Sequence, residues 1–145
     1  MSETHLKVWL DQDGKLLRLR LSRPKANIVD AAMIASLQAA LGEHLPNPRL
    51  RGVLLDAEGP HFSFGASVDE HMPESCAEML HSLHALILKM VESTVPILVA
   101  VRGQCLGGGL EVAAAGHLIF AAPGAMLGQP EVKLAVFAPA ASCLL

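Results

Sequence analysis

Two segments near the start of the chain alternate apolar and polar residues. Leu6-Lys7-Val8-Trp9-Leu10 and Leu17-Arg18-Leu19-Arg20-Leu21 have the period of strands with one covered face. The turn-forming run Asp11-Gln12-Asp13-Gly14 lies between them, so the pair predicts a β-hairpin. After the loop Ser22-Arg23-Pro24-Lys25-Ala26-Asn27 the period changes. Ile34, Leu37 and Leu41 fall on one helical face, and Asp30 is placed to cap a helix running through Leu45. Val53-Leu54-Leu55 predicts a short buried strand, followed by a loop over residues 57–67 rich in glycine, proline and serine. Met79, Leu83, Leu86, Ile87 and Met90 form the apolar stripe of a helix over residues 74–92. Ile97-Leu98-Val99-Ala100-Val101 is a continuous apolar run, the pattern of a strand covered on both faces. A glycine turn follows, then a helix opening over residues 110–115 and a further buried strand, Leu118-Ile119-Phe120-Ala121. Strands and helices therefore alternate after the hairpin, which predicts an α/β architecture with parallel crossover units. No repeat, low-complexity tract or linker divides the chain.

Composition narrows the classes. The 145 residues fit one domain and can bury a core, and 52% hydrophobic content argues against disorder. A net charge of −3 gives no basic footprint for nucleic acid. Cys76, Cys105 and Cys143 are odd in number and widely spaced, which fits a reduced, cytoplasmic setting better than a disulfide framework. The polar start, residues 1–7, is unlike a signal peptide, and the apolar end, residues 134–145, is too short to span a bilayer. The run Ala140-Ala141-Ser142-Cys143-Leu144-Leu145 has no polar cap, glycine stop or charged tail. It predicts that the chain is the N-terminal part of a longer single domain.

Candidate chemistry gathers in the most apolar third. Glu111 follows Gly107-Gly108-Gly109-Leu110, and Glu131 closes Gly128-Gln129-Pro130, 20 residues further on. Ionisable groups are costly to bury in such surroundings without a purpose. A strand ending at Val101, a turn and a helix would place the Gly108 and Gly109 amides at a helix N-terminus, where developing negative charge is favoured. Three glycines also suffice for a tight strand-to-helix turn, and both readings stand. At Phe62-Ser63-Phe64-Gly65-Ala66-Ser67, Gly65 permits a sharp path that frees the Ala66 amide, although an ordinary surface loop fits that segment as well. Taken together, two turns that each follow a strand predict amides converging on one carbonyl oxygen. Each glutamate alone fits a first-turn or loop position. As a pair beside such a site they predict a general acid and base.

Other polar residues carry less. His81 and His84, three apart on a helix, have no third ligand at useful spacing and read as a solvated face; no metal site is expected. His61 and His71 flank the first glycine loop and read as loop polarity. Cys105 lacks a positioned base and is not read as a nucleophile. Arg23 and Lys25 fit either anion contacts or ordinary surface charge.

The segment Val99-Ala100-Val101-Arg102-Gly103-Gln104-Cys105-Leu106-Gly107-Gly108-Gly109-Leu110-Glu111, with Leu127-Gly128-Gln129-Pro130-Glu131, resembles the crotonase (enoyl-CoA hydratase/isomerase) superfamily. Residues 62–67 fit that family's other oxyanion loop, and the match runs from about Leu6 to the last residue. The resemblance implies a spiral of ββα units, with its C-terminal part missing here, that binds an acyl-CoA thioester. It implies Ala66 and Gly108 as oxyanion donors and Glu111 and Glu131 as the acid/base pair that adds water. Lys25, Ala26 and Asn27 fit the CoA-contacting loop. Phe64, Gly65, Ser67, Gly107, Gln129 and Phe137 are expected to contact substrate. It further implies no cofactor, coenzyme A being part of the substrate, no nucleic-acid or membrane partner, and a homotrimer or dimer of trimers at full length.

Departures narrow the expectation. Ser67 stands where the family often has Asp, Phe64 where a small residue is common, and Phe137-Ala138-Pro139-Ala140-Ala141-Ser142 where fatty-acid hydratases carry a glycine-rich stretch. With Asn27-Ile28-Val29-Asp30, these features look most similar to members that hydrate a cyclic dienoyl-CoA in aromatic degradation. A fatty-acid-type hydratase or isomerase, or an inactive CoA-binding fragment, are the alternatives.

Overall fold

The computed structural model describes residues 4–67, 69 and 72–145. The hairpin strands β1 (Leu6–Asp11) and β2 (Leu16–Leu21) pair antiparallel, Leu6 opposite Leu21 and Asp11 opposite Leu16. Helix α1 (Ala31–His44) follows, with the Asp30 carboxylate accepting the Met33 amide at 2.9 Å as the capping pattern predicts. Strand β3 (Gly52–Ala57), helix α2 (Cys76–Val91) and strand β4 (Ile97–Val101) come next. Beyond them lie β5 (Gln104–Leu106), α3 (Gly108–Ala114), β6 (Leu118–Ala121), β7 (Met126–Gly128), a 3-10 helix (Pro130–Leu134) and α4 (Pro139–Leu144). The main sheet has the order β1-β2-β3-β4-β6 and is parallel from β2 onward, while β5 and β7 form a separate parallel pair.

Alternation explains the layers. Leu17, Leu19 and Leu21 of β2 point to the same face as Val53 and Leu55 of β3 and Ile97 and Val99 of β4. The apolar stripes of α1 (Met33, Ile34, Leu37, Leu41) and α2 (Leu83, Leu86, Ile87, Met90) close over that face as one core. The opposite face of β1–β3 is polar. Arg20 grips Asp56 through two bonds, Nε to Oδ1 at 2.8 Å and Nη2 to Oδ2 at 2.7 Å, and the Trp9 ring lies 5.1 and 5.3 Å from the Arg18 and Arg20 guanidinium carbons.

Three expectations change. Strand β6 exists but is not buried: Leu118 and Phe120 are 57% and 56% exposed. It is bonded only to β4, at the end of the sheet order, and among the described residues no element covers its outer face. Strand β4 is fully buried on one face only, its second face being half-buried. The stretch before the triple glycine, read as turn alone, contains β5; three residues are too few to show a period.

The part of the fold that positions the site is a woven segment, residues 62–66. Phe62 and Ser63 donate to the Arg102 and Gln104 carbonyls at 2.9 and 3.0 Å, and Leu106 donates back to Ser63 at 3.0 Å. On its other edge, Phe64 donates to Ala26 and Val29 to Gly65, each at 2.9 Å. The α3 backbone presses on this segment so closely that a Cβ at Gly109 would lie 2.6 Å from Ser63 Oγ. Gly109→Ala is therefore expected to lower unfolding stability by about 1–3 kcal/mol, as overpacking does. Urea denaturation checks this, and an unchanged midpoint would show that α3 and the woven segment do not press together.

Candidate active site

The two glycine loops meet. Val29 bridges Ala66 in parallel fashion, and in that geometry the bridged residue's own amide points away from the ladder. For Ala66, the other side holds α3. A Cβ on Gly108 would sit 3.3 Å from the Ala66 nitrogen, and one on Gly65 would sit 3.7 Å from the Gly108 nitrogen. Gly108 is the first residue of α3, so its amide has no partner within the helix. Among the described residues neither the Ala66 nor the Gly108 amide has an acceptor. Ser63 Oγ accepts the Gly65 amide at 3.1 Å and fixes the loop that aims Ala66.

The carboxylates arrive by different routes. Strand β7 pairs with β5 so that Leu106 faces Gly128, and the Gly107 amide donates to the Gly128 carbonyl at 3.0 Å. The chain then enters the 3-10 helix and lays Glu131 over Gly107. A Cβ at Gly107 would collide with the Glu131 carboxyl, so only glycine leaves room for that acid. Gln129 Nε2 donates to the Gly107 carbonyl at 3.4 Å, while Gln129 Oε1 and Glu131 Oε2 are shielded from solvent without a partner among the described residues.

Glu111 lies in the body of α3 and is 5% exposed. Its Oε1 accepts the Ala141 amide of α4 at 2.9 Å. Burial pushes its pKa above the usual carboxylate value. The Ala141 amide opposes that shift, the Glu131 carboxylate adds to it, and His84 opposes it again. The two acids are thus electrostatically coupled, one inside the protein and one at the surface of a cleft.

That cleft, of about 370 Å³, is lined by Phe64, Gly65, Ala66, Gly107 and Glu131, with Met72, Pro130, Leu134 and Val136 as apolar walls. A second hollow of about 380 Å³ lies on the other side of Glu131 and is lined by Gln129, Phe137, Ala138 and Ala141, among others. The residues expected from sequence divide accordingly. Ala66, Gly108, Glu111, Glu131, Phe64, Gly65, Gly107 and Gln129 come together. Ser67, half-buried, directly follows Ala66. Phe137 is 73% exposed on the second hollow.

The 25–27 loop sits apart from both hollows. Lys25 is exposed, and Ala26 contributes its carbonyl to Phe64. Asn27 is buried, and its side chain is spent within the protein: Nδ2 donates to the Glu58 and His61 carbonyls at 2.9 and 3.1 Å, and Oδ1 accepts the Arg23 amide at 2.9 Å. The Arg23 guanidinium pairs with Asp30.

Two histidines differ from expectation. His61 Nδ1 accepts the Gln104 amide at 3.0 Å, and its ring stands edge-on to Phe64 with centroids 4.9 Å apart. His84 is not on a solvated face: its Nε2 is shut off from solvent. His81 is exposed, and His71 lies outside the described residues. Burial pushes the Cys105 thiol up to about 12, so it stays protonated. The sequence reading missed the apolar walls Met72, Leu134 and Val136. Leu134 and Val136, set close behind Glu131, were the available signal. Among the described residues no group of three or more His, Cys, Asp or Glu could hold a metal ion, and no helix is long and apolar enough to cross a membrane.

Comparison with known proteins identifies relatives of the chain. The chain is 77% identical over 140 residues to cyclohexa-1,5-dienecarbonyl-CoA hydratase of Thauera aromatica, covering 97% of this chain and 54% of that protein. A Bacillus subtilis relative is 31% identical over 122 residues, covering 81% of this chain and 47% of the relative. The chain thus spans about half the length of the curated relatives it matches. A crystal structure of an enoyl-CoA hydratase/isomerase family protein from Silicibacter pomeroyi superposes with a TM-score of 0.88 at 25% identity, covering 96% of this chain and 59% of that one. The fold is accordingly crotonase-like. Residues 11–144 match the enoyl-CoA hydratase/isomerase family model. With that span, and with Ala66, Gly107 and Glu131 lining one cleft, the chain belongs to the enoyl-CoA hydratase/isomerase family.

Proposed function

We propose that the protein is a hydro-lyase that adds water to a cyclic conjugated dienoyl-CoA thioester, of the cyclohexa-1,5-diene-1-carbonyl-CoA type. The observation that carries this reading is the 77% identity to the Thauera hydratase across nearly the whole chain. The cleft supports it: Phe64, Met72, Leu134 and Val136 give a flat acyl ring apolar walls, and the Glu131 carboxylate lies beside the amide pair. A fatty-acid-type hydratase or isomerase finds less support, because the Bacillus relative is only 31% identical.

The thioester oxygen would lie between the Ala66 and Gly108 amides, which stabilise the enolate-like charge that develops there. One such donor is worth roughly 10²–10³ in rate. Glu111 acts as base toward water and Glu131 as acid toward ring carbon, the roles exchanging in dehydration. The oxygen bonds to carbon, the proton from water goes to Glu111, and the product is a hydroxycyclohexenecarbonyl-CoA. Proton transfer and charge stabilisation suffice, so the reading includes no metal or redox cofactor. It also includes a cytoplasmic, homo-oligomeric protein, trimeric or a dimer of trimers at full length, without nucleic-acid or membrane partners. Lys25, at the exposed tip of its loop, fits an encounter with CoA phosphates.

Two predictions follow from the carboxylates. Glu111→Gln and Glu131→Gln should each reduce turnover of the cyclic dienoyl-CoA by about 10²–10⁴-fold. CoA-ester binding, measured by calorimetry, should persist. Near-normal hydration in both variants would refute the acid–base assignment, and a product without the added mass of water would favour an isomerase. The second concerns stability. Because burial raises the folded-state pKa of Glu111, the folded chain binds that proton more tightly than the unfolded chain. Its contribution to stability therefore falls as pH rises from the unfolded carboxyl value through the folded one. Glu111→Gln should melt above the parent at pH 8, with the gap closing below about pH 4. Equal melting temperatures at both pH values would contradict the buried-charge account.

A further inference from the structure

Phe64 is 42% exposed, yet its position is closely controlled. Its amide donates to the Ala26 carbonyl at 2.9 Å, and the His61 ring stands against its ring at 82°, with centroids 4.9 Å apart. His61 is in turn held at two points. Its carbonyl accepts Asn27 Nδ2 at 3.1 Å, and its Nδ1 accepts the Gln104 amide at 3.0 Å. The imidazole fits there only because residue 103 is glycine: a Cβ at that position would collide with His61 Nδ1 and with the Pro60 carbonyl. Gly103 also has a φ of +58°, which L side chains rarely adopt. A solvated loop aromatic needs none of this support.

The supported ring borders the site. Phe64 lines the cleft that also holds Ala66 and Glu131, and it precedes Ala66 by two residues, about 7 Å of chain at full extension. A ring bonded directly to a thioester carbonyl at the Ala66 amide would therefore lie within reach of Phe64. A perpendicular aromatic pair occupies at most one face of Phe64 and leaves the other for a bound group. A flat π system gains from that face by offset stacking, whereas a straight alkyl chain gains only buried area. An unsupported phenylalanine would lose rotamer freedom as a ligand arrived; one already held by His61 has little left to lose.

We propose that Phe64 is a specificity-determining residue of the cleft, selecting flat, ring-bearing acyl thioesters over straight-chain ones, and that His61 is the positioning residue that holds it in place. The pair acts on which acyl group binds and takes no part in proton transfer. The inference rests on the reading of this cleft as the seat of an acyl-CoA, and it adds to that reading the residues that set the acyl preference.

The test measures binding without turnover. Benzoyl-CoA, which carries a flat ring, and butyryl-CoA, which has a straight saturated chain, are titrated calorimetrically into the parent protein and three variants. Phe64→Leu keeps bulk and removes the flat face, and Phe64→Tyr keeps the ring. His61→Asn keeps an acceptor for the Gln104 amide and removes the ring that braces Phe64. The parent and Phe64→Tyr should bind benzoyl-CoA more tightly than butyryl-CoA. That preference should shrink by about 2–10-fold in Phe64→Leu, the range of one aromatic pair, with butyryl-CoA binding unchanged. It should shrink also in His61→Asn, at the parent's melting temperature. A parent that binds neither ester, or both alike, overturns the proposal. So does an equal loss of both esters in Phe64→Leu, which would make Phe64 a general CoA contact. A lower melting temperature in His61→Asn with the preference intact would show that His61 only packs. A Phe64-dependent preference in a protein that adds no water to the cyclic dienoyl-CoA would sink the hydro-lyase reading and leave the selectivity standing.

Discussion

Residues 62–66 hold the molecule's chemistry in place because they are bonded on both edges. Arg102, Gln104 and Leu106 bind one edge, Ala26 and Val29 the other. A loop with so many backbone partners has lost its freedom, and the entropy of fixing it is offset by sheet-like bonding rather than by the ligand. The consequence is local and directional. The amides that are not consumed by this weaving, Ala66 above all, can point only toward the start of α3, where the Gly108 amide is also free. Preorganised donors of this kind need no rearrangement when charge develops between them.

The same economy governs the acids. Gly107 serves β5–β7 pairing through its amide, receives Gln129 on its carbonyl and leaves room for Glu131 over its α-carbon. Glu111, on the next helix, is pinned by α4 through Ala141. Glu111 is shifted first by its own burial, and the Glu131 charge adds to that shift. The buried one is pushed toward the protonated form, and the folded protein carries that cost at neutral pH as a feature of the site rather than of the core.

The outer face of the sheet shows a different division. Toward β1 and β2 it is closed by the Arg20–Asp56 pair and the Trp9 stack, which need no further cover. Toward β6 it is apolar and open, with Leu118 and Phe120 exposed.

Much of this was legible in the chain. The alternation of residues 6–21, the stripe of α2, the Asp30 cap and the meeting of two glycine loops with two glutamates are local signals. Period and spacing determined element type there, while the grouping of those glycines and glutamates into one site drew also on the family resemblance. The tertiary structure decided what depends on distant neighbours. Strand β6 has an apolar sequence but lies exposed at the end of the sheet, because burial requires a covering element and not merely a hydrophobic run. Asn27 has the chemistry to meet a ligand, yet backbone groups of Arg23, Glu58 and His61 claim its side-chain amide. His84 reads as a surface residue by its spacing from His81, and only the packing of α2 closed its Nε2 off from solvent. Hydrophobic pattern is a property of consecutive residues; solvent access, hydrogen-bond partners and electrostatic coupling belong to residues that folding brings together.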